Sequence, residues 1–229
     1  MIDIEAVRDG NEGLPAEPED GIFYVFANTA DYMCWHNLRF TKRMTSAGFA
    51  AATTCPKFRE SYLNGTASYA PFVPNQGLSS GLISRFTMNV SANYRLEYDA
   101  ECIRYQHFAT SPSRFSATFA FGHQEDCQKA SQIYKWDLNE VRKFRLLRDG
   151  PLTRVRRVNM EVVSLMRSVY AGASWSEDER SGIWKHYWSG GGGLAVEVPA
   201  IENDTPTRRK VDCGEIWEYL IEGRLQLID

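Results

Sequence analysis

The sequence lacks the features of a membrane or secreted protein. Within its 229 residues no apolar run approaches the roughly 20 residues that a membrane-spanning helix requires. The start of the chain is acidic, whereas a signal peptide begins with basic residues. The cysteines are few and widely spaced, and none forms a Cys-x-x-Cys pair, which is typical of a reducing compartment and predicts a cytoplasmic protein. They are Cys34, Cys55, Cys102, Cys127 and Cys213.

Metal-binding and nucleotide-binding motifs are also missing. The four histidines, His36, His107, His123 and His186, have no cysteine or carboxylate at ligand spacing, so we expect no metal. The run Gly190–Gly193 follows a predicted helix and lacks the Lys-Ser/Thr of a phosphate-binding loop, which indicates a helix end instead. A Gly-x-Ser-x-Gly hydrolase motif is absent. These absences argue against metalloenzymes, P-loop enzymes and serine hydrolases.

The composition predicts one globular domain with an acidic extension. Hydrophobic residues make up 43% of the chain and charged residues 24%. Residues 3–20 hold seven acidic residues against one arginine, together with Pro15 and Pro18. This composition favours a solvated arm. We therefore expect an N-terminal arm over residues 1–20 and a single domain over residues 21–229.

Basic residues are concentrated in one stretch, although the net charge is −3. Residues 135–167 contain nine Lys or Arg and four acids. A basic face on a weakly acidic protein suits an anionic ligand such as RNA, DNA or a dinucleotide. A solvated helix face would have the same composition, so both interpretations stay open.

The hydrophobic patterns predict strands at both ends of the domain with helices between them. The strands are expected at residues 22–26, 114–121, 133–138, 194–198 and 215–221. Short elements and loops are expected over residues 28–80. Helices are expected at 124–131, from Asp149 through the apolar stripe that ends at Val169, and from the capping box at Ser176 to Gly190. This pattern predicts an α+β fold.

Glu218 is the most informative single residue. It lies in the predicted strand 215–221, on the same face as Ile216 and Leu220. A carboxylate in so apolar a strand is costly unless it is paired or has a chemical role. Two interpretations follow: a catalytic carboxylate, or a structural one held by an arginine at a strand edge.

Three short motifs resemble a known family. They are Pro112-Ser113-Arg114-Phe115, Lys185-His186-Tyr187-Trp188-Ser189-Gly190 and Trp217-Glu218-Tyr219-Leu220. Together with the aromatic first strand, they resemble bacterial and phage toxin-type domains of the ADP-ribosyltransferase-like superfamily. The similarity runs in order over residues 21–228 and implies a split β-sheet core with flanking helices.

The resemblance implies an enzyme that cleaves the nicotinamide–ribose bond of NAD and transfers ADP-ribose. In that family a first-strand residue anchors NAD, a middle strand carries a serine or tyrosine, and a late strand carries the catalytic glutamate. The corresponding residues here are Tyr24 in the first strand, Ser113 and Ser116 on the middle strand, and Glu218. Arg114 would bind a phosphate of NAD. Tyr24, Trp184 or Trp188 could stack on nicotinamide, although as core residues they would need no such role.

Two departures from the family pattern change the expected ligands. The first strand has neither the histidine nor the arginine of many relatives, and His36 or Arg39 could replace it. The position two before Glu218 is Ile216, where arginine-modifying members have a second glutamate, which disfavours arginine side chains as the acceptor. The acceptor is expected to be a macromolecule, with RNA or DNA favoured slightly over protein.

The leading hypothesis is therefore an NAD-dependent toxin or phage-conflict effector, for which an antitoxin protein is a candidate partner. A catalytically degenerate fold that binds a nucleotide or a protein is the alternative. An RNA-binding module that uses the basic stretch is the third hypothesis, although no RNA-binding motif is present.

Overall fold

The computed structural model describes residues 18, 20–71, 85–172, 175–202 and 205–228. Most of the predicted arm 1–20 lies outside these ranges. Among the described residues, none of the helices combines the length and apolar character needed to cross a bilayer.

The chain forms seven α-helices and nine strands within the described ranges. The helices are α1 (Tyr32–His36), α2 (Ala47–Thr54), α3 (Pro56–Leu63), α4 (Arg85–His107), α5 (Gln124–Tyr134), α6 (Met160–Gly172) and α7 (Glu177–Ser189). The strands are β1 (Ile22–Phe26), β2 (Arg43–Thr45), β3 (Thr118–Ala120), β4 (Val141–Leu147), β5 (Arg154–Asn159), β6 (Ala195–Glu202), β7 (Thr205–Asp212), β8 (Trp217–Glu222) and β9 (Arg224–Ile228). A π-helix, Asn37–Thr41, continues α1.

Two compact units divide the chain. One comprises the described residues within 13–69, 109–158 and 216–229, and we call it the sheet unit. It contains a four-stranded sheet with the order β1-β4-β9-β2, in which neighbours are antiparallel. It also contains most of a three-stranded sheet with the order β3-β8-β5. The other unit consists of α4, α6, α7 and the antiparallel pair β6–β7, and we call it the helical unit.

A backbone bridge connects the two sheets of the sheet unit. Tyr24 of β1 pairs with Phe121, the residue after β3, in antiparallel geometry. The amide of Tyr24 donates to the Phe121 carbonyl at 2.8 Å, and the amide of Phe121 donates to the Tyr24 carbonyl at 2.7 Å. Consequently β1, β3 and β8 lie side by side.

One face of these sheets forms the apolar core of the sheet unit. Alternation along each strand sends every second side chain to this face, where large apolar residues are fully buried. They include Phe23, Val25, Phe144, Tyr219, Ile221 and Leu225, and Leu38 of the π-helix packs on them. The edge of the Phe23 ring lies against Tyr219, with centroids 5.3 Å apart. The opposite face carries Tyr24, Glu218 and Glu222.

The helical unit packs around aromatic residues of α7. Trp184, Tyr187 and Trp188 are fully buried, and the indole of Trp188 donates to the Ala100 carbonyl of α4 at 2.8 Å. The capping box predicted at Ser176 is present, since Ser176 and Glu179 exchange side-chain and backbone hydrogen bonds. The helix ends at Gly190 in a left-handed conformation with φ +83°.

The α+β prediction is confirmed at the level of mixed helices and antiparallel sheets. Strand β1 has the predicted bounds, and the short helices after it match the expectation for residues 28–71. The helix predicted from Asp149 is wrong over its first part, because β5 occupies residues 154–159 and the helix begins at Met160. The strand predicted at 133–138 is also wrong, since α5 extends to Tyr134 and a 3-10 turn follows at Leu138–Glu140.

Candidate functional site

Glu218 lies near the start of β8, on the face opposite the apolar core. Only 6% of the residue is exposed. Strand β8 contains six residues, Trp-Glu-Tyr-Leu-Ile-Glu, so alternation places Glu218, Leu220 and Glu222 on one face. Two carboxylates are therefore aligned on this face.

Arg114 is the cation that faces Glu218. Its Nη1 donates to Glu218 Oε1 at 3.3 Å, and both side chains are more than nine-tenths buried. The guanidinium also lies 5.1 Å from the centroid of the Phe119 ring. Hence the structure contains the arginine-held carboxylate that was one of the two interpretations of Glu218. At 3.3 Å this hydrogen bond is longer than a normal N–H···O bond.

The predicted strand 114–121 begins later than expected, and this places Ser113 and Ser116 in a turn before β3. The amides of Ser116 and Ala117 both donate to the Ser113 carbonyl, at 3.1 and 2.9 Å, which closes a helical turn. Strand geometry begins at Thr118. The two serines are thus not on the middle strand itself, and the turn aims them at Glu222.

Glu222 is the residue that sequence reasoning missed. It is fully buried, it accepts the Ser116 hydroxyl, and its Oε1 accepts the Ser113 amide at 3.2 Å. The nearest cation to its other oxygen is Arg154, whose Nη1 lies 4.0 Å from Oε2. Gly48 of α2 closes the remaining side. Because Glu222 is fully buried and one of its oxygens accepts two hydrogen bonds from the Ser113–Ser116 turn, we assign it a structural role.

Tyr62 and Arg154 surround Glu222 from the side of α3. The Arg154 guanidinium lies 3.8 Å from the centroid of the Tyr62 ring, and the Tyr62 hydroxyl donates to the Leu152 carbonyl at 2.9 Å. Burial, and after it the charge of Glu222, raises the pKa of Tyr62. Tyr62 is therefore a neutral hydrogen-bond donor at physiological pH and does not act as a base.

Tyr24 lies in the same cross-strand row as Glu218. The register of β3 with β8 pairs Ala120 with Tyr219, and one further step places Phe121 opposite Glu218. Phe121 also faces Tyr24 across the bridge. Because neighbouring strands are about 4.8 Å apart, Tyr24 and Glu218 are separated by about two strand spacings. Tyr24 is half-buried, and the Lys143 ammonium lies 5.6 Å from its ring centroid.

The arginines of β5 add positive charge to this face. Arg154 contacts Glu222, and Arg157 stacks on Trp217 at 4.2 Å, so β5 and β8 run in opposite directions. Arg156, two residues from Arg154, lies on the face of Glu218 and Glu222. Burial lowers the pKa of Arg156. Three arginines, Arg114, Arg154 and Arg156, therefore share a face with two glutamates.

Other predicted ligands have different roles. Trp184 and Trp188 are buried in the core of the helical unit, so the prediction that either could stack on nicotinamide is wrong. The ring of His36 packs between Tyr32 and Phe40, at 6.0 and 5.1 Å between centroids. Arg39 is exposed on the π-helix. Across the described ranges, no group of three or more His, Cys, Asp or Glu could hold a metal ion.

No known protein-family model matches the chain, and no curated protein is significantly similar to it.

Proposed function

We propose that the chain is an NAD-dependent ADP-ribosyltransferase in which Glu218 is the catalytic glutamate. The adjacency of β1, β3 and β8 carries this proposal. The resemblance requires a first strand, a middle strand and a late strand that together bind and cleave NAD. The bridge of Tyr24 to Phe121 and the pairing of β3 with β8 put the strands of Tyr24 and Glu218 on either side of β3, which supports this arrangement. The two bridged sheets are compatible with the split-sheet core of that superfamily.

Glu218 has the chemistry that the reaction needs. When the bond between nicotinamide and ribose C1′ breaks, the electron pair leaves with neutral nicotinamide and positive charge develops on the ribose. A carboxylate that binds the ribose 2′-hydroxyl stabilises such an oxocarbenium-like state. The acceptor then adds to C1′, and its proton passes to the carboxylate or to water. The low exposure of Glu218 strengthens these electrostatic interactions.

Arg114 would exchange partners during the reaction. In the structure Arg114 donates to Glu218 at 3.3 Å and neutralises its charge. The pyrophosphate of NAD offers a guanidinium stronger, bidentate contacts. Movement of Arg114 to the pyrophosphate would leave Glu218 available for the ribose. The surplus of one positive charge on this face, with Arg154 and Arg156, favours the same ligand.

Adenine-labelled NAD tests the proposal. The protein is incubated with this NAD and, in separate tubes, with RNA, DNA or lysate protein. We expect the label to enter one polymer and nicotinamide to be released, and both Glu218→Gln and Glu218→Ala to abolish transfer. Glu197→Gln, an exposed glutamate in β6, is the matched control and should be fully active. Full activity of Glu218→Gln would remove Glu218 from the mechanism.

A binding module without catalysis is the second candidate function. The first strand has Tyr24 where many members of the resembled superfamily have a cation. Arg114 forms an ion pair with Glu218, which leaves the carboxylate less available to a substrate. A calorimetric titration in which NAD binds but no nicotinamide is released, with every acceptor present, would support this function instead. The cytoplasmic location, the toxin role and the antitoxin partner belong to the transferase proposal.

A further inference from the structure

The four-stranded sheet is strongly basic. Its strands β1, β2, β4 and β9 contain no Asp or Glu within their bounds, and five Lys or Arg: Arg43, Arg142, Lys143, Arg145 and Arg224. The chain as a whole carries a net charge of −3. The strands of this sheet are thus basic although the chain as a whole is weakly acidic.

Three of these cations lie on the face that is opposite the apolar core. Strand register pairs Tyr24 with Lys143 and Ile22 with Arg145, and Arg145 in turn pairs with Gln226 of β9. Gln226 pairs with Arg43 and accepts a hydrogen bond from its Nε at 2.9 Å. Directly paired residues share a face, so Arg43, Lys143 and Arg145 extend outward on the side of Tyr24. All three are exposed.

An aromatic row lies beside these cations and leads towards Glu218. It consists of Phe121, Phe26, Trp136 and Tyr134. Phe26 contacts Phe121 edge to face at 5.8 Å and Trp136 at 5.1 Å. Trp136 stacks with Tyr134 at 5.3 Å. Trp136 is 40% exposed and Tyr134 and Phe26 are half-buried, whereas Phe121, at the end of the row nearest β8, is only 4% exposed.

We propose that the Trp136 end of this aromatic row, together with Lys143, Arg145 and Arg43 on the same face of the sheet, binds a single-stranded nucleic acid. Exposed rings stack on unpaired bases of any sequence, while cations beside them neutralise the phosphates. A duplex buries its base faces and cannot use the rings. The row points from Trp136 towards β8, the strand of Glu218, so a strand bound at Trp136 would be presented to ADP-ribose as the acceptor. That last step rests on the proposed function, whereas the binding itself does not.

Fluorescence anisotropy with labelled twelve-nucleotide oligo-dT and oligo-U, without NAD, tests the inference. At least one of the two oligonucleotides should bind. The oligonucleotide with the higher affinity shows whether the surface prefers DNA or RNA. A duplex of the same length should bind more weakly. Trp136→Leu keeps an apolar side chain against Phe26 but removes the exposed indole, and should weaken binding about tenfold. Trp136→Phe retains a ring and should recover much of the affinity.

The cations are tested by the double variant Lys143→Gln with Arg145→Gln. Each lost phosphate contact lowers the slope of log affinity against log salt by about 0.7 for a single strand, so the slope should fall by about 1.4. Phe40→Ala and Lys57→Gln remove an exposed ring and an exposed cation elsewhere in the same unit, and should bind as the wild type does. Circular dichroism confirms the fold of each variant.

The outcomes separate the two proposals. Equal affinity for duplex and single strand, unchanged affinity in the Trp136→Leu protein, or no binding at about 50 mM salt would overturn the inference. If ADP-ribose is transferred to protein and no oligonucleotide binds, the transferase proposal stands and the nucleic-acid-binding proposal is wrong. If the oligonucleotides bind as expected and NAD is never cleaved, the surface stands and the transferase fails.

Discussion

The backbone of Gly48 lies so close to Glu222 that a Cβ at residue 48 would stand 2.7 Å from Glu222 Oε1 and 2.9 Å from the Ser116 hydroxyl. Real Cβ atoms are not found at such distances. The first turn of α2 is therefore packed directly against the buried carboxylate of Glu222 and the Ser116 hydroxyl that binds it.

Gly48→Ala should destabilise the protein by about 1–3 kcal/mol, because overpacking forces well-packed neighbours to move. The carboxylate cannot shift without losing the Ser113 amide. Urea unfolding followed by circular dichroism measures the effect. Gly214→Ala is the control, since nothing lies within 4 Å of its Cβ, and it should change stability by less than about 0.5 kcal/mol. Equal stability of the two variants would contradict this packing.

Glu222→Ala should cost about 3 kcal/mol or more of folding free energy, because it leaves the buried Arg154 without its counter-charge. The Ser113 amide and Ser116 hydroxyl also lose their acceptor. Glu197→Ala removes an exposed ion pair with Arg208 and should cost less than about 1 kcal/mol. Chemical denaturation of both proteins gives the comparison, and similar midpoints would disprove the structural role of Glu222.

The cysteines should react with iodoacetamide in a defined order. Cys55 is exposed, whereas Cys127 is fully buried in α5 and burial raises its pKa to about 12. The thiolate is the reactive form, so Cys127 should stay unmodified at pH 8 until the protein unfolds. Peptide mass mapping after timed labelling measures both rates. Labelling of Cys127 as fast as Cys55 in native protein would show that α5 is packed differently.

Asp126 and Glu179 should contribute to stability with opposite pH dependence. Burial raises the pKa of Asp126, so its contribution is present below its unfolded pKa and is lost as the pH rises through the folded value. Hydrogen bonds from Ser176 lower the pKa of Glu179, so its contribution is present above its unfolded pKa and is lost as the pH falls.

Unfolding free energies of Asp126→Asn, Glu179→Gln and the wild type, measured from pH 7 down to pH 3.5, test this pair. As the pH falls, the unfolding free energy of the wild type should increase relative to that of Asp126→Asn and decrease relative to that of Glu179→Gln. Two difference curves that slope the same way would contradict the assignment. Each variant serves as the control for the other.

The elements that were predicted correctly from the sequence are those determined by residues close to one another in the chain. Strand β1 is bounded by its own apolar run, and α7 begins at a capping box that needs only Ser176 and Glu179. The prediction failed at residues 154–159, where Val155 and Val158 fit a helical stripe that continues into α6. Pairing with β8 decides in favour of a strand there, because β propensity depends on the partner strand.

The candidate site was predictable only in part for the same reason. Glu218 was identifiable because an acid in an apolar strand stands out locally. Glu222 was not, since the hydroxyl that binds it comes from Ser116, 106 residues away. The aromatic row likewise joins Phe26 and Trp136 across separate elements, and its formation requires α5 to end at Tyr134.

The bridge between Tyr24 and Phe121 is made entirely by main-chain atoms, and every amino acid except proline carries the amide that it needs. Residue 24 can therefore change identity in related chains while the first strand keeps its place beside β3. The position of the first strand beside β3 is accordingly independent of which side chain residue 24 carries. A substitution at residue 24 therefore changes the side chain next to Lys143 without removing the backbone bridge that joins the two sheets.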